Sequence, residues 1–184
     1  MNVTKTNING VFIIEPMVFK DQRGYFYESY NKLSLGKYGI DYTFVQDNQS
    51  QSSYGVIRGL HFQKPPYAQT KLLRVIQGKI IDVAVDIRKG SPTYGQHVAL
   101  ELSDTNFKQL LIPAGFAHGF SVLSETAVVQ YKCTDYYHPE SEGGIIFNDS
   151  DLDINWGIPL DEAIISEKDL NHPTFSEFQT PFTM

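Results

Sequence analysis

One cysteine, Cys133, is all the chain has, so no internal disulfide is available and its thiols give no argument for an oxidising setting. Long apolar runs are missing too. None approaches the ~20 residues that span a bilayer. Residues 1–16 also lack the basic start, apolar stretch and small-residue cleavage site of a secretory signal. The expectation is a cytoplasmic protein with no membrane partner. Positive charge is scarce: 15 Lys and Arg against 21 Asp and Glu leave a net charge of −6. That balance argues against nucleic acid as a partner, which needs a basic surface. It does not exclude a small anion, because a few clustered cations bind one whatever the net charge. Helical patterning is also thin. Asn31 can cap a short helix through Tyr38, closed by Gly39, and another short turn is expected between Asp161 and Leu170. With no repeat, low-complexity tract or linker, residues 1–184 are predicted to form one domain, long enough to bury a substantial core.

Strand chemistry is what the sequence does contain. Twelve Phe and eleven Tyr suit half-buried, pleated surfaces. Ile81, Val83, Val85 and Ile87 alternate with Asp82, Ala84, Asp86 and Arg88, and Val98, Leu100 and Leu102 with His97, Ala99 and Glu101. Val129, Tyr131 and Cys133 share a face opposite Val128, Gln130, Lys132 and Thr134. This is the period of two expected of a sheet with distinct faces. Turn residues separate the runs, at Gln77-Gly-Lys79, Lys89-Gly-Ser-Pro92, Ser103-Asp-Thr-Asn106 and Pro113-Ala-Gly115. Many short strands at close spacing predict an all-β jelly-roll barrel or sandwich, with a few short peripheral helices.

Two runs carry histidine: Arg58-Gly-Leu-His-Phe-Gln63 and Ile112-Pro-Ala-Gly-Phe-Ala-His-Gly-Phe120. They resemble the two histidine motifs of a cupin barrel with the metal ligands removed. A metal-binding version of the first would read His-x-His with a glutamate soon after. Here Gln63 takes the second position, and residues 64–77 hold no carboxylate. A first-row metal wants three or four convergent ligands, so no metal is expected and His61 is free for acid–base work. Unperturbed imidazole titrates near pKa ~6.5. A core histidine bonded to one neighbour is the ordinary alternative; Arg58, Gln63 and Lys71 nearby favour the functional one. Lys71, before the apolar stretch Leu72–Ile76, is either an ammonium facing the barrel interior, placed to stabilise an oxyanion, or a solvated strand end. Tyr131 is either a proton donor or a tyrosine of the barrel wall. Tyr136 and Tyr137 could stack on a base or simply pack. Arg23 and the polar run Val45–Ser50 offer hydrogen-bonding groups, and both could be ordinary turns. His97, His138 and His172 receive no role.

Taken in order, Asp21-Gln-Arg-Gly-Tyr-Phe26, Val45-Gln-Asp-Asn48, Arg58–Gln63, Gln69-Thr-Lys71, Ile112–Gly119, Tyr131-Lys-Cys-Thr-Asp135 and Ser166-Glu-Lys-Asp169 resemble the dTDP-4-dehydrorhamnose 3,5-epimerase family over essentially the whole chain. The resemblance implies a metal-free cupin that needs no cofactor. Its substrate would be a dTDP-4-keto-6-deoxy sugar, inverted at the carbons flanking the ketone through an enolate. By the same resemblance His61 is the base, Asp169 its orienting carboxylate, Lys71 the enolate stabiliser and Tyr131 the opposite-face acid. Arg23, Phe26, Glu28, Gln46, Asp47, Asn48, Arg58, His118, Glu142 and Lys168 match positions that hold nucleotide, diphosphate or sugar, and Tyr137 one that stacks on thymine. The family forms homodimers in which N-terminal segments, including the stretch from Arg23 to Glu28, reach the partner's site. Phe147, Ser150 and Tyr67 depart from the common Trp, Pro and His, and bear on loop shape and nucleotide fit. Relatives that invert only one carbon keep nearly the same residues, so the choice between one and two inversions is left open by the sequence.

Overall fold

The computed structural model describes residues 1–184. β1 (Asn2–Lys5) and β2 (Phe12–Glu15) are followed by a hairpin of β3 (Val18–Asp21) and β4 (Gly24–Tyr27), then the helix α1 (Lys32–Gly36). Next come β5 (Gln46–Ser53), β6 (Ile57–Gln63), β7 (Lys71–Gln77), β8 (Lys79–Asp86), β9 (Arg88–Lys89) and β10 (His97–Ser103). β11 (Gln109–Ile112), β12 (Phe116–Val122), β13 (Thr126–Cys133), β14 (Glu142–Gly144), α2 (Glu167–Leu170) and β15 (Phe182–Thr183) complete the order. Asn31 caps α1 by accepting the Ser34 amide at 3.0 Å, but the helix ends at Gly36, short of Tyr38. The turn expected between Asp161 and Leu170 resolves into a 3-10 turn at Leu160–Glu162 and then α2. No helix is long and apolar enough to cross a membrane.

Two antiparallel sheets face each other, a six-stranded one in the order β1-β2-β11-β7-β13-β5 and a five-stranded one in the order β10-β8-β12-β6-β14. The space between them is filled at one end by Leu73, Val75, Ile80, Leu102, Leu110, Val122 and Val129. Each such fully buried side chain contributes roughly 1.5–3 kcal/mol, enough for this end to clamp the sheets together. A second cluster lies on the other face of the five-stranded sheet. There Ile57, Leu60, Val83, Val85 and Ile87 are covered by Ile145, Phe147, Leu152 and Trp156 from the C-terminal third. Trp156 donates its indole N–H to the Phe147 carbonyl at 2.9 Å, so the residue standing in place of a tryptophan is sealed into this cover. The alternation in β8 therefore has a twist: both faces are buried. The apolar face meets the C-terminal cover, and the face with Ile80, Asp82 and Ala84 looks into the barrel.

β5 was not legible as a strand. Its sequence Gln-Asp-Asn-Gln-Ser-Gln-Ser-Ser has no apolar residue, yet it pairs with β13 along its whole length, and its residues alternate between shielded and exposed. The turn reading of residues 46–50 gives way to an edge strand whose inward face is polar because it lines a cavity.

Candidate active site

β6 and β12 lie side by side, with His61 directly opposite His118. Between His118 and Phe120 the register slips, so β6 carries one residue more than its partner over this stretch, which is a β-bulge. Gly59 sits there with φ +134°, and a Cβ on it would meet Gly119 Cα and the His118 carbonyl. Only glycine lets the two strands approach so closely, and the slip puts both Arg58 and His61 on the barrel side.

His61 Nε2 lies 2.7 Å from Asp169 Oδ1. Asp169 is fixed in turn: Ser166 caps α2 by accepting the Asp169 amide at 3.1 Å, and Asp169 Oδ2 accepts the Gly59 amide at 3.2 Å. Burial pushes the Asp169 carboxyl up, but the bond and charge of His61, with the Gly59 and Ser166 contacts, more than reverse this and hold it below the usual range. An ionised Asp169 makes Nε2 the protonated nitrogen of a neutral His61, leaving a lone pair on Nδ1. Behind the pair stands His172, whose Nε2 is 3.7 Å from Asp169 Oδ1 and whose ring packs edge-to-face on His61.

A second pair lies next door. His118 Nε2 is 2.7 Å from Asp82 Oδ1, and both side chains are buried. Burial pulls the His118 imidazole down, more than Asp82 raises it, so the ring is neutral at working pH. Asp82 Oδ2 has no partner. Asp82 was not singled out from the sequence, although a carboxylate between Ile81 and Val83 in a buried strand is itself a signal, since aspartate is rarely buried without a partner.

The facing sheet supplies the complement. Lys71 opens β7 opposite Cys133, and Tyr131 lies opposite Asn48 and Leu73. The Lys71 ammonium is 5.6 Å from the centre of the Tyr131 ring. Burial pulls Lys71 down, against Cys133, Asp82 and Glu142, which raise it. This removes the solvated-strand-end alternative. Burial, aided by Cys133, pushes the Tyr131 phenol up against the opposing pull of Arg58 and Asn48, so it keeps its proton.

Arg58, His61, Lys71, His118, Tyr131, Lys168 and Asp169 line one cavity of about 520 Å³. Gln46, Asn48, Tyr137 and Glu142 line an adjoining hollow of about 270 Å³ that shares His61, Lys71 and Tyr131. Lys168 binds Glu142, which also accepts the Tyr137 hydroxyl at 3.0 Å. Four of the sequence-nominated residues lie elsewhere. Asp47 points to the other face of β5, where it pairs with Lys132 at 3.0 Å. Glu28 accepts from Asn31 at 2.7 Å, while Arg23 and Phe26 project on the β3–β4 hairpin. Gln63, in place of a metal ligand, is spent on loops: it donates to the Tyr67 and Tyr136 carbonyls and accepts the His138 amide. Tyr67 stacks on His138, their ring centres 3.6 Å apart.

An imidazole–carboxylate pair facing a phenol and an ammonium across one cavity of a cupin-like β fold is a set of groups able to move protons, and it fits the class of sugar isomerases. The family model described as dTDP-4-dehydrorhamnose 3,5-epimerase matches residues 5–177, and the chain belongs to that family. It is 52% identical over 168 residues to the dTDP-4-dehydrorhamnose 3,5-epimerase of Methanothermobacter thermautotrophicus, covering 91% of this chain and 90% of that one. The crystal structure of the enzyme of that name from Elizabethkingia anophelis superposes with a TM-score of 0.92 at 53% identity, covering 96% of this chain and 97% of that one. The dTDP-6-deoxy-D-glucose-3,5-epimerase of Legionella pneumophila, solved with dTDP-4-keto-L-rhamnose, gives 0.92 at 47% identity over 97% of this chain and 94% of that one.

Proposed function

We propose that the chain converts dTDP-4-dehydro-6-deoxy-D-glucose to dTDP-4-dehydro-L-rhamnose by inverting C3 and C5, a step of dTDP-L-rhamnose synthesis in the cytoplasm. The observation that carries this reading is the opposition of His61 on one sheet, held by Asp169 from α2, to Lys71 and Tyr131 on the other sheet, across one cavity. The 4-ketone acidifies the C–H bonds at C3 and C5. His61 Nδ1 takes the proton from one face, and the imidazolium that forms is stabilised by Asp169. The electron pair moves into the carbonyl, and Lys71 meets the enolate oxygen with a charge already desolvated and in place. Tyr131 then returns a proton from the opposite wall, which inverts the carbon. Arg58, Lys168 and Glu142 belong with sugar and diphosphate, and Tyr137, Gln46 and Asn48 with the nucleotide end.

Arg23, Phe26 and Glu28 enter this scheme through a second copy of the chain. The β3–β4 hairpin exposes Phe19, Tyr25 and Phe26 and carries Arg23 almost fully solvated, away from its own cavity. A homodimer in which each hairpin completes the partner's site gives these side chains a function.

The test is incubation with dTDP-4-keto-6-deoxyglucose in heavy water, with NMR of the recovered sugar. Deuterium at both C3 and C5, with the L-sugar trapped by a reductase, is the expected result. Deuterium at one carbon alone replaces the proposal with a mono-epimerase; none at all, with dTDP still bound, leaves a sugar-nucleotide-binding barrel. For the dimer, mixing inactive Arg23→Ala and His61→Ala chains is expected to restore activity, because one hybrid site is then intact. A mixture as inactive as its parts rules out the shared site.

A further inference from the structure

We propose that His61, Asp169 and His172 form a latent zinc site that switches catalysis off from behind the base, without entering the substrate cavity. His61 Nε2, Asp169 Oδ1 and His172 Nε2 lie within 4.8 Å of one another. The first two are 2.7 Å apart, and His172 Nε2 stands 3.7 Å from the same oxygen, too far for a hydrogen bond. His172 Nε2 is therefore a buried nitrogen with no partner, an omission that needs a reason. Its ring is held in that position. It lies against Gly144, where a Cβ would run into it, and at 74° to the His61 ring with centres 5.7 Å apart.

Two imidazoles and a carboxylate are a donor set that Zn²⁺ takes tetrahedrally at 2.0–2.2 Å, so its ligand atoms sit about 3.3 Å apart. The two separations to Asp169 Oδ1, 2.7 and 3.7 Å, straddle that spacing, and shifts of about half an ångström bring both to it. His172 follows α2 and its Asn171 C-cap. A water completes the four positions. Lys168, the nearby cation, is already bound to Glu142, so the incoming charge does not meet a free ammonium.

The chemistry of blocking follows from the tautomer. Zn²⁺ takes the lone pair of His61 Nε2, so the proton there leaves to solvent and one is taken up at Nδ1. The imidazole stays neutral, Asp169 exchanges a hydrogen bond for a Zn–O bond, and nothing is oxidised or reduced. His172 behaves in the same way, with any proton on Nε2 moving to Nδ1. With Nδ1 of His61 protonated, the base is gone while the cavity keeps its shape. Metal binding stands on the geometry alone; the loss of turnover rests also on His61 acting as the base.

Co²⁺ titration of the full chain, followed by optical absorption and displacement with Zn²⁺, tests the site. The expected result is one Co²⁺ per chain with visible d–d bands, lost on adding Zn²⁺. Saturating Zn²⁺ should lower solvent-deuterium exchange into substrate ~10³–10⁴-fold, as far as loss of the general base itself does, leave dTDP affinity unchanged, and be reversed by EDTA. His172→Phe keeps a ring against Gly144 and should retain metal-free exchange while losing the Co²⁺ bands and the Zn²⁺ sensitivity. His172→Gln serves if that variant fails to fold. No bands in the parent chain, or equal binding in the variants, overturns the site. Binding at His172 with exchange undiminished overturns the blocking step and counts against His61 Nδ1 as the base, a failure distinct from that of the site.

Discussion

Two histidines on adjacent strands each meet an aspartate at 2.7 Å, and the two pairs are built for different work. His61 is 28% exposed at its side chain, and its aspartate is fixed by a backbone amide and a helix cap. His118 is 7% exposed, and its aspartate keeps one oxygen buried and unpartnered. A base must reach substrate and find its imidazolium stabilised as it forms; the first pair offers both. The second is a buried imidazole whose Nε2 is taken by Asp82, suited to accept a substrate hydroxyl at Nδ1 and unsuited to carrying a proton through a cycle. The same two side chains are thus suited to different work by access and by what holds the carboxylate.

The largest effect should fall on the first pair. His61→Ala is expected to lower deuterium exchange by ~10³–10⁴-fold, within the range of a general base lost from a positioned site, while dTDP affinity by calorimetry changes little. Exchange at the parent rate would move the base elsewhere. Lys71→Met keeps a long chain but removes the charge beside the enolate oxygen. A loss of ~10²–10³-fold in exchange is expected, and an effect confined to KM would place Lys71 in binding instead. Tyr131→Phe tests the opposite wall. Inversion should slow by ~10²-fold and exchange less, because deprotonation does not need the phenol; equal losses in both would point to another acid.

Much of this pattern was legible before the fold was known, and the failures have physical causes. β10 and β13 announced themselves through alternation, because each has one face in the barrel core, Val98 and Leu102 in one case and Val129 in the other. β6 was legible as a motif but not as an alternating strand, since the bulge at Gly59 shifts its parity between Ile57 and Leu60. β5 was invisible because its inner face meets a polar cavity, and hydrophobic period cannot report burial against water and ligand. Asp82 was passed over because alternation separates two faces without saying which one looks inward; the apolar residues of β8 serve the C-terminal cover, and its carboxylate faces the barrel. His172 received no role although Asp169 lies only three positions before it; the turn after α2 sets its Nε2 3.7 Å from that carboxylate.

Asp82→Asn sharpens the comparison from the second pair. The substitution keeps an acceptor for His118 but removes the buried charge. If the pair places substrate, KM should rise about 10-fold, the worth of one weakened hydrogen bond, with exchange at saturation nearly unchanged. A fall in saturated exchange as large as that of His61→Ala would make His118 a second base.

Asp86 supplies the smallest effect on catalysis and the control for both pairs. It lies on the same strand as Asp82 and is equally buried, but its oxygens are fully occupied by Arg88, Ser91 and Thr93 at 2.6–2.8 Å. Burial pushes this carboxyl up, and those bonds, with the Arg88 amide, more than reverse it and hold it at about 2. A folded value below the ordinary 3.8 of an aspartate means that ionised Asp86 stabilises the fold above pH ~4 and that the stabilisation fades as pH falls from there towards 2. The difference corresponds to about 2 kcal/mol at neutral pH. Asp86→Asn should therefore unfold at lower urea at pH 7, approach the parent at pH 2–3 in that same assay, and leave exchange into substrate untouched. A stability loss independent of pH would mean that Asp86 acts by packing and not by charge. A loss of exchange in the folded variant would mean that an aspartate with every bond satisfied can still serve the site, and the contrast with Asp82 would fall.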